Sequence, residues 1–436
     1  MSDIVERARK IAAGFEDDMI DFAQRIIRCP SLTGQEEAVS KIIAAELNKL
    51  SYDEVIRDAW GNMIGIVHGT EDGPSIMYNA HQDHVDIGNV AEWEGYEPYG
   101  GLIDEAKIQN ETCDGEDLTK VIHGRAASDT KGGLACQVYA GGILAALKKE
   151  GYSFKGNFIF TASVMEEPAE QIGMRGMLDH TFPERGIAIN GVVSCEATGL
   201  RLYLGHRGRV EIRVEVKGIT SHGSTPWLGV NAVSKAAALI RKVDKYYANY
   251  QLTDSELGPS SNALTIISCS PANNCVVPDR CELTYDRRII PGETPEEALN
   301  QIRSIIKELQ QEDPEFRAEV HEGTVPRTTY TGITEIRPST KKGWKISTEH
   351  PFVKACAEAL RELGEPVNYG YWYFGTDLDY VCADKHIPAV GYSPMQELYC
   401  HRPVDKVRID FMERALVGNV AIFEKLVTLP SGALTL

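Results

Sequence analysis

Three short apolar stretches, each followed by residue types that bind metals, constrain this chain more than any other feature. Ser75 to Ala80 leads into His81 and Asp83, Asn157 to Val164 into Glu166 and Glu167, and Gly191 to Cys195 into Glu196. Their length, and the glycines, prolines or charges that bound them, predict buried strands. A helical pattern from about Gly133 to Lys149 separates the first two. Strands alternating with helices predict an α/β domain with a largely parallel sheet. Earlier in the chain, apolar residues at helical spacing predict a helix from about Asp3 to Ile27, stopped by Pro30. Thr33 and Glu36 have the spacing of a capping box, which predicts a second helix running to Leu50. In open α/β sheets ligands bind beyond the carboxyl ends of the strands, so the residues just past the three runs are where chemistry is expected.

A chain of 436 residues with 43% hydrophobic content is too long for one core, since single cores stop growing near ~250 to 300 residues. The texture changes after Gly208. Arg209 to Lys217 carries the alternation V-E-I-R-V-E-V-K, and helical and strand patterns follow over Ala232 to Tyr247, Ala263 to Ser268, Cys281 to Arg288, Pro295 to Gln310 and Phe316 to Val320. That β-α-β-β-α-β order is the split arrangement of a ferredoxin-like domain. The expected organisation is a first domain made of residues 1–207 and 323–436, with residues 208–322 inserted in it. Helical patterns over Val353 to Leu363 and Asp410 to Val427 fit the first domain resuming. The net charge of -18 argues against nucleic acid or an anionic membrane as partner. No stretch approaches the ~18 uninterrupted apolar residues of a membrane span. Ten scattered cysteines without a C-x-x-C pair predict neither a disulfide ladder nor a zinc knuckle, and a cytoplasmic location is expected.

Taken alone, H-Q-D-H at 81 to 84 is a weak signal, and the pair Glu166-Glu167 fits a helix start equally well. Their setting is more specific. His81-x-Asp83 is followed by G-R-A-A-S-D-T-K-G-G at 124 to 133, M-E-E-P at 165 to 168, C-E-A-T at 195 to 198 and a late His401. In this order the sequence resembles the dinuclear metallo-aminoacylase and carboxypeptidase family that includes acetylornithine deacetylase, succinyl-diaminopimelate desuccinylase and glutamate carboxypeptidase. The resemblance covers nearly the whole chain. Within the family, N-N-C-V-V-P-D-R-C and D-R-R-I-I-P-G-E-T are most similar to a subgroup of hydrolases linked to selenium metabolism.

The resemblance implies a mostly parallel-sheet, zinc-peptidase-like catalytic domain with an inserted ferredoxin-like lid and dimerisation domain. It implies that His81 and Glu196 bind one ion, Glu167 and His401 a second, and that Asp129 bridges them. Imidazole and carboxylate donors suit Zn²⁺, with Co²⁺ or Mn²⁺ as alternatives. Asp83 would orient His81 through its other ring nitrogen. Glu166 would be the general base for a metal-bound hydroxide that cleaves the amide of an N-acyl or N-carbamoyl amino acid or a short peptide. His222, in T-S-H-G-S-T-P, would reach the site of a partner subunit and stabilise the oxyanion, which requires a homodimer. Arg288, with Arg287 as rival, would hold a substrate carboxylate; Asn274, Gly375 and Thr376 would line the pocket. Two features depart from the family pattern: Val404 and Asp405 stand where Asn and Glu are usual, and an enlarged segment over Asp86 to Lys120 is expected to shape the pocket. A homologue that binds without turnover, or a hydrolase of a cyclic amide or lactone, are the rival readings.

Overall fold

The computed structural model describes residues 3–250 and 252–436. Helix Gly132–Lys149 is buried on nearly every side, the expected place for a helix apolar all round. Helices Asp3–Ile27 and Ile409–Leu426 pack against it, the first through Ala8, Ala12, Met19 and Phe22 on a single buried face. Beneath them runs a nine-stranded sheet. At its centre, strand Glu71–His81 lies between Lys155–Ser163 and Gly191–Ser194 and parallel to both, with Ala389–Gly391 parallel on the far side of Gly191–Ser194. Towards one edge, Met63–His68 and Glu54–Arg57 add antiparallel pairs. Parallel neighbours need crossovers, which helix Gly132–Lys149 and the segment before Gly191 supply. The sheet is therefore parallel where the three apolar runs lie and mixed outside them, with further parallel pairs at Ala389–Gly391 and between Tyr369–Trp372 and Leu202–His206. All three candidate strand ends open on the same side.

The inserted domain is an antiparallel sheet in the order Ser261–Ser270, Arg280–Ile289, Gly208–Lys217, Arg317–Glu322. Helices Ala232–Asn249 and Pro295–Glu312 cover one face and share a core of Val210, Ile212, Val214, Leu239, Leu283 and Ile302. Strand Gly208–Lys217 alternates between buried and half-buried positions, as its sequence predicts.

Three local readings change. The inserted sheet extends past residue 322, because strand Thr340–Lys341 pairs with Val210 and Arg209. The chain reaches it through a hairpin, Thr324–Thr328 with Thr334–Pro338, whose alternating polar residues carry no core signal. The Thr33–Glu36 capping box does not form: the helix begins at Glu37 without a side-chain cap. Thr33 donates its hydroxyl to Asp83 at 2.8 Å, and buried Glu36 accepts the N–H groups of Gly34 and Met165. Both side chains are drawn to the strand-end loops. A complete capping box forms instead at Thr294 and Glu297. The segment after Asp86 becomes an antiparallel hairpin, Leu102–Gln109 with Glu116–His123, joined by Lys406–Arg408 as a third strand. It braces the chain just past His401. Among the described residues, no helix is long and apolar enough to cross a membrane.

Candidate metal centre

The strand ends bring two ligand groups together. His81, Asp129 and Glu196 offer ligand atoms within 4.8 Å of one another, and so do Asp129, Glu167 and His401. Asp129 belongs to both. Its Oδ1 lies 2.9 Å from His81 Nε2, and its Oδ2 lies 3.0 Å from His401 Nε2. His401 Nε2 is also 3.0 Å from Glu167 Oε2, and His81 Nε2 is 3.8 Å from Glu196 Oε1. One carboxylate thus turns an oxygen to each group.

Charge crowding explains the protonation of the set. Burial and the negative charge of Asp129 push Glu167 up to about 7, and burial beside Glu166 raises Glu196 well above the carboxylate range. Hydrogen bonds to Asp129 and Glu167 raise His401 to about 11. Burial opposes protonation of His81, but Asp129 and Asp83 outweigh it and raise that ring as well. Asp129, buried but hydrogen-bonded to both imidazoles, is held well below the usual carboxylate range. The two raised carboxylates and two imidazoles around it favour their protonated forms, so the site is short of positive charge, which divalent cations would supply by displacing those protons. The donors are nitrogen and oxygen throughout. The neighbouring Cys400 thiol is held protonated by burial and by Asp129 and Asp405, and it donates to the Ser128 carbonyl at 3.2 Å. The residues present fit Zn²⁺, Co²⁺ or Mn²⁺.

The loops are held from behind. Asp83, fully buried, accepts the N–H groups of Glu166 at 3.1 Å and Glu167 at 3.3 Å. Its backbone carbonyl is the nearer partner of His81 Nδ1, at 2.9 Å, while its carboxylate stands at 3.5 Å. Asp83 therefore fixes the Glu166–Glu167 turn as well as the imidazole. Asp405, the departure noted above, is buried and accepts the N–H groups of Ala126 and Ser128 at 2.8 Å each, with Arg125 at 3.5 Å. It anchors the loop that presents Asp129.

A cavity of about 380 Å³ opens over these groups, lined by Asp129, Glu166, Glu167, Glu196 and His401 with Arg288, Arg209, Gly375, Phe374, Glu397 and Lys341. Arg288 and Arg209 share Asp286, at 2.6 and 2.8 Å. The rival Arg287 is fully buried, bonded to Glu293 at 2.6 Å and packed on Tyr247 and Tyr250. Thr376 lies behind the wall and gives its N–H to His206 Nε2 at 3.1 Å. His222 and Asn274 are not among the lining residues. They share an exposed corner of the inserted domain, where strand Ser221–His222 pairs with Val276–Val277. The hairpin over residues 102–123 contributes nothing to the lining either; it acts at a distance, through Gln109, which is bonded to Tyr399 and Gln396. Sequence reasoning missed Lys341, which stands in no motif, and Arg209, hidden in an alternating strand.

A two-group metal centre on a half-parallel sheet, facing an arginine-bearing lid domain, defines the architecture of a metal-dependent hydrolase. Residues 204–314 match the M20 peptidase dimerisation domain. Uncharacterised protein YgeY of Escherichia coli K12 is 30% identical over 405 residues, covering 92% of both chains. Succinyl-diaminopimelate desuccinylase of Methylobacterium radiotolerans is 26% identical, over 79% of this chain and 81% of the relative. The dinuclear metal-binding M20 peptidase YXEP of Bacillus subtilis superposes with a TM-score of 0.66 at 16% identity, covering 94% of this chain and 98% of the other. The chain belongs to the M20 family of metal-dependent amide hydrolases.

Proposed function

We propose that this protein hydrolyses the amide bond of a small amino-acid-derived substrate, an N-acyl or N-carbamoyl amino acid or a short peptide, as a homodimer with two divalent ions, Zn²⁺ first among them. The observation that carries the reading is Asp129, one oxygen turned to each ligand group. His81 and Glu196 would hold one ion, Glu167 and His401 the other. Bound there, the ions would supply Lewis acidity to the scissile carbonyl and to a water. Glu166 accepts the proton of that water on its carboxylate and passes it to the leaving nitrogen, two roles that one carboxyl can play in sequence. Arg288, steadied by Asp286, holds a substrate carboxylate through its remaining guanidinium N–H groups. His222 Nδ1 accepts the Ser224 N–H at 3.0 Å, which leaves the Nε2 proton to donate to an oxyanion in a second copy's site. Gly375 contributes to the pocket wall, with Thr376 behind it.

The test is amine release from N-acetyl, N-succinyl, N-carbamoyl and dipeptide substrates, with protein reloaded with Zn²⁺, Mn²⁺ or Co²⁺ and Glu166→Gln as the blank. A metal-dependent product, lowered about 10²- to 10⁴-fold in the blank with metal content unchanged, supports the reading. Turnover at the wild-type rate in Glu166→Gln removes Glu166 from the mechanism.

A further inference from the structure

Lys341 is buried, with 5% of its surface exposed, yet it carries a charge into the wall of the cavity. Its ammonium has three acceptors: Glu166 Oε1 at 2.5 Å, the Gly375 carbonyl at 3.2 Å and the Glu166 carbonyl at 3.4 Å. A buried lysine ordinarily loses its proton. Here burial is outweighed by Glu166, Asp377 and Asp379, and Lys341 is held above its ordinary value. The main chain of Glu166 is fixed separately, by its N–H to Asp83.

We infer that Lys341 is a positioning residue for Glu166: by engaging Oε1 it fixes the rotation of the carboxylate, so that the other oxygen addresses the reacting water. This rests on the role proposed above for Glu166. Lys341 belongs to the strand Thr340–Lys341, where it pairs directly with Arg209 of the inserted sheet. Arg209 shares Asp286 with Arg288. The group that orients the base and the group that grips the substrate carboxylate are therefore set by one sheet, and the distance between them is a property of that sheet. A free carboxylate rotor would lose turnover through misalignment without losing binding.

The experiment is a double-mutant cycle on the metal-loaded dimer, with the fastest substrate of the panel above. Lys341→Met is expected to lower kcat about 100-fold with KM changed less than about 3-fold and metal content retained, and Lys341→Arg to recover about 10-fold of the loss. In Glu166→Asp, whose shorter side chain no longer reaches the ammonium, Lys341→Met should cost less than about 3-fold. If Lys341→Met does not fold, Lys341→Arg carries the same cycle, with a smaller loss that again vanishes in Glu166→Asp. A kcat within about 3-fold of wild type, or an equal loss in both Glu166 backgrounds, overturns the inference. A dead Glu166→Gln beside a fully active Lys341→Met would sink this inference alone, whereas an active Glu166→Gln would sink the base assignment.

Discussion

His81 and His222 both lie in short histidine-bearing motifs, yet the chain treats them in opposite ways. His81 is 2% exposed, and both ring nitrogens have partners at 2.9 Å, Asp129 on one side and the Asp83 carbonyl on the other. His222 is exposed and bonded to Ser224 within its own turn. Around it stand Trp227 and Leu228, 75% and 70% exposed, and Ile266 and Ile267 lie open on the edge strand Ser261–Ser270. An edge strand with exposed apolar residues is a template for a second chain. On the proposed function, one wall of the active site is completed by the chain's own folding, while the other would be completed by a partner copy.

The strongest way to break this comparison is to remove the residue shared by the two ligand groups. Asp129→Ala should bind neither ion stoichiometrically, and turnover should fall to background, a loss of more than about 10⁴-fold. Elemental analysis of the purified variant checks it. One tightly retained ion with measurable turnover would mean that the two groups act independently.

Next in size is the lid. His222→Ala should fold, dimerise and keep its metal, but lose about 10²- to 10³-fold in kcat, the usual cost of one oxyanion donor. Mixed with Glu166→Gln after dissociation and reassociation, it should regain about a quarter of wild-type activity, because half the dimers are mixed and each has one intact site. No recovery on mixing would place the histidine's action within its own chain.

The contrast also explains what could be read from sequence. The strand ends announced themselves because apolar runs with a ligand-type residue behind them survive as local patterns, and His81, Glu166, Glu167 and Glu196 stand there. The β-α-β-β-α-β order of the insertion was legible for the same reason. Lys341 was not, since its role depends on a register between strands far apart in the chain, and T-K-K carries no periodicity. The Thr33–Glu36 spacing matches a cap locally, but buried Asp83 and the Met165 N–H compete for those side chains, and local rules cannot see them. Asp405 appeared only as a departure from the family pattern; its two 2.8 Å bonds to the Asp129 loop give it a task.

That task yields a smaller prediction on the completed wall. Asp405→Asn replaces one acceptor oxygen with an amide that faces the N–H of Ala126 or Ser128. Loss of a group that supports a metal ligand typically costs 10- to 100-fold in metal affinity, so an effect of about that size is expected with the fold retained. Competition with a chelator of known affinity measures it. Unchanged affinity would show that the Asp129 loop is fixed without Asp405.

The smallest effect concerns a third histidine, which separates burial from charge. His206 is as buried as His81, but its Nε2 accepts the Thr376 N–H at 3.1 Å and its Nδ1 faces the Arg207 carbonyl at 3.0 Å. No carboxylate compensates the loss of water, so burial pushes it down to about 3. The native state keeps this ring neutral while the unfolded chain takes up a proton below about 6.5, so the unfolded state binds more protons and stability falls as pH drops from about 6.5 towards 3. The slope is about 1.4 kcal/mol per pH unit at its steepest. His206→Gln should be less stable at pH 7.5, where its hydrogen bonds are compromised, yet lose stability less steeply than wild type between pH 6.5 and 4.5. Denaturant unfolding of both proteins at equal metal load isolates the difference, because the titrations of the ligand histidines are common to both. Parallel slopes would mean that His206 titrates alike in the folded and unfolded chains, and that the wall behind Thr376 opens to water before the ring is challenged.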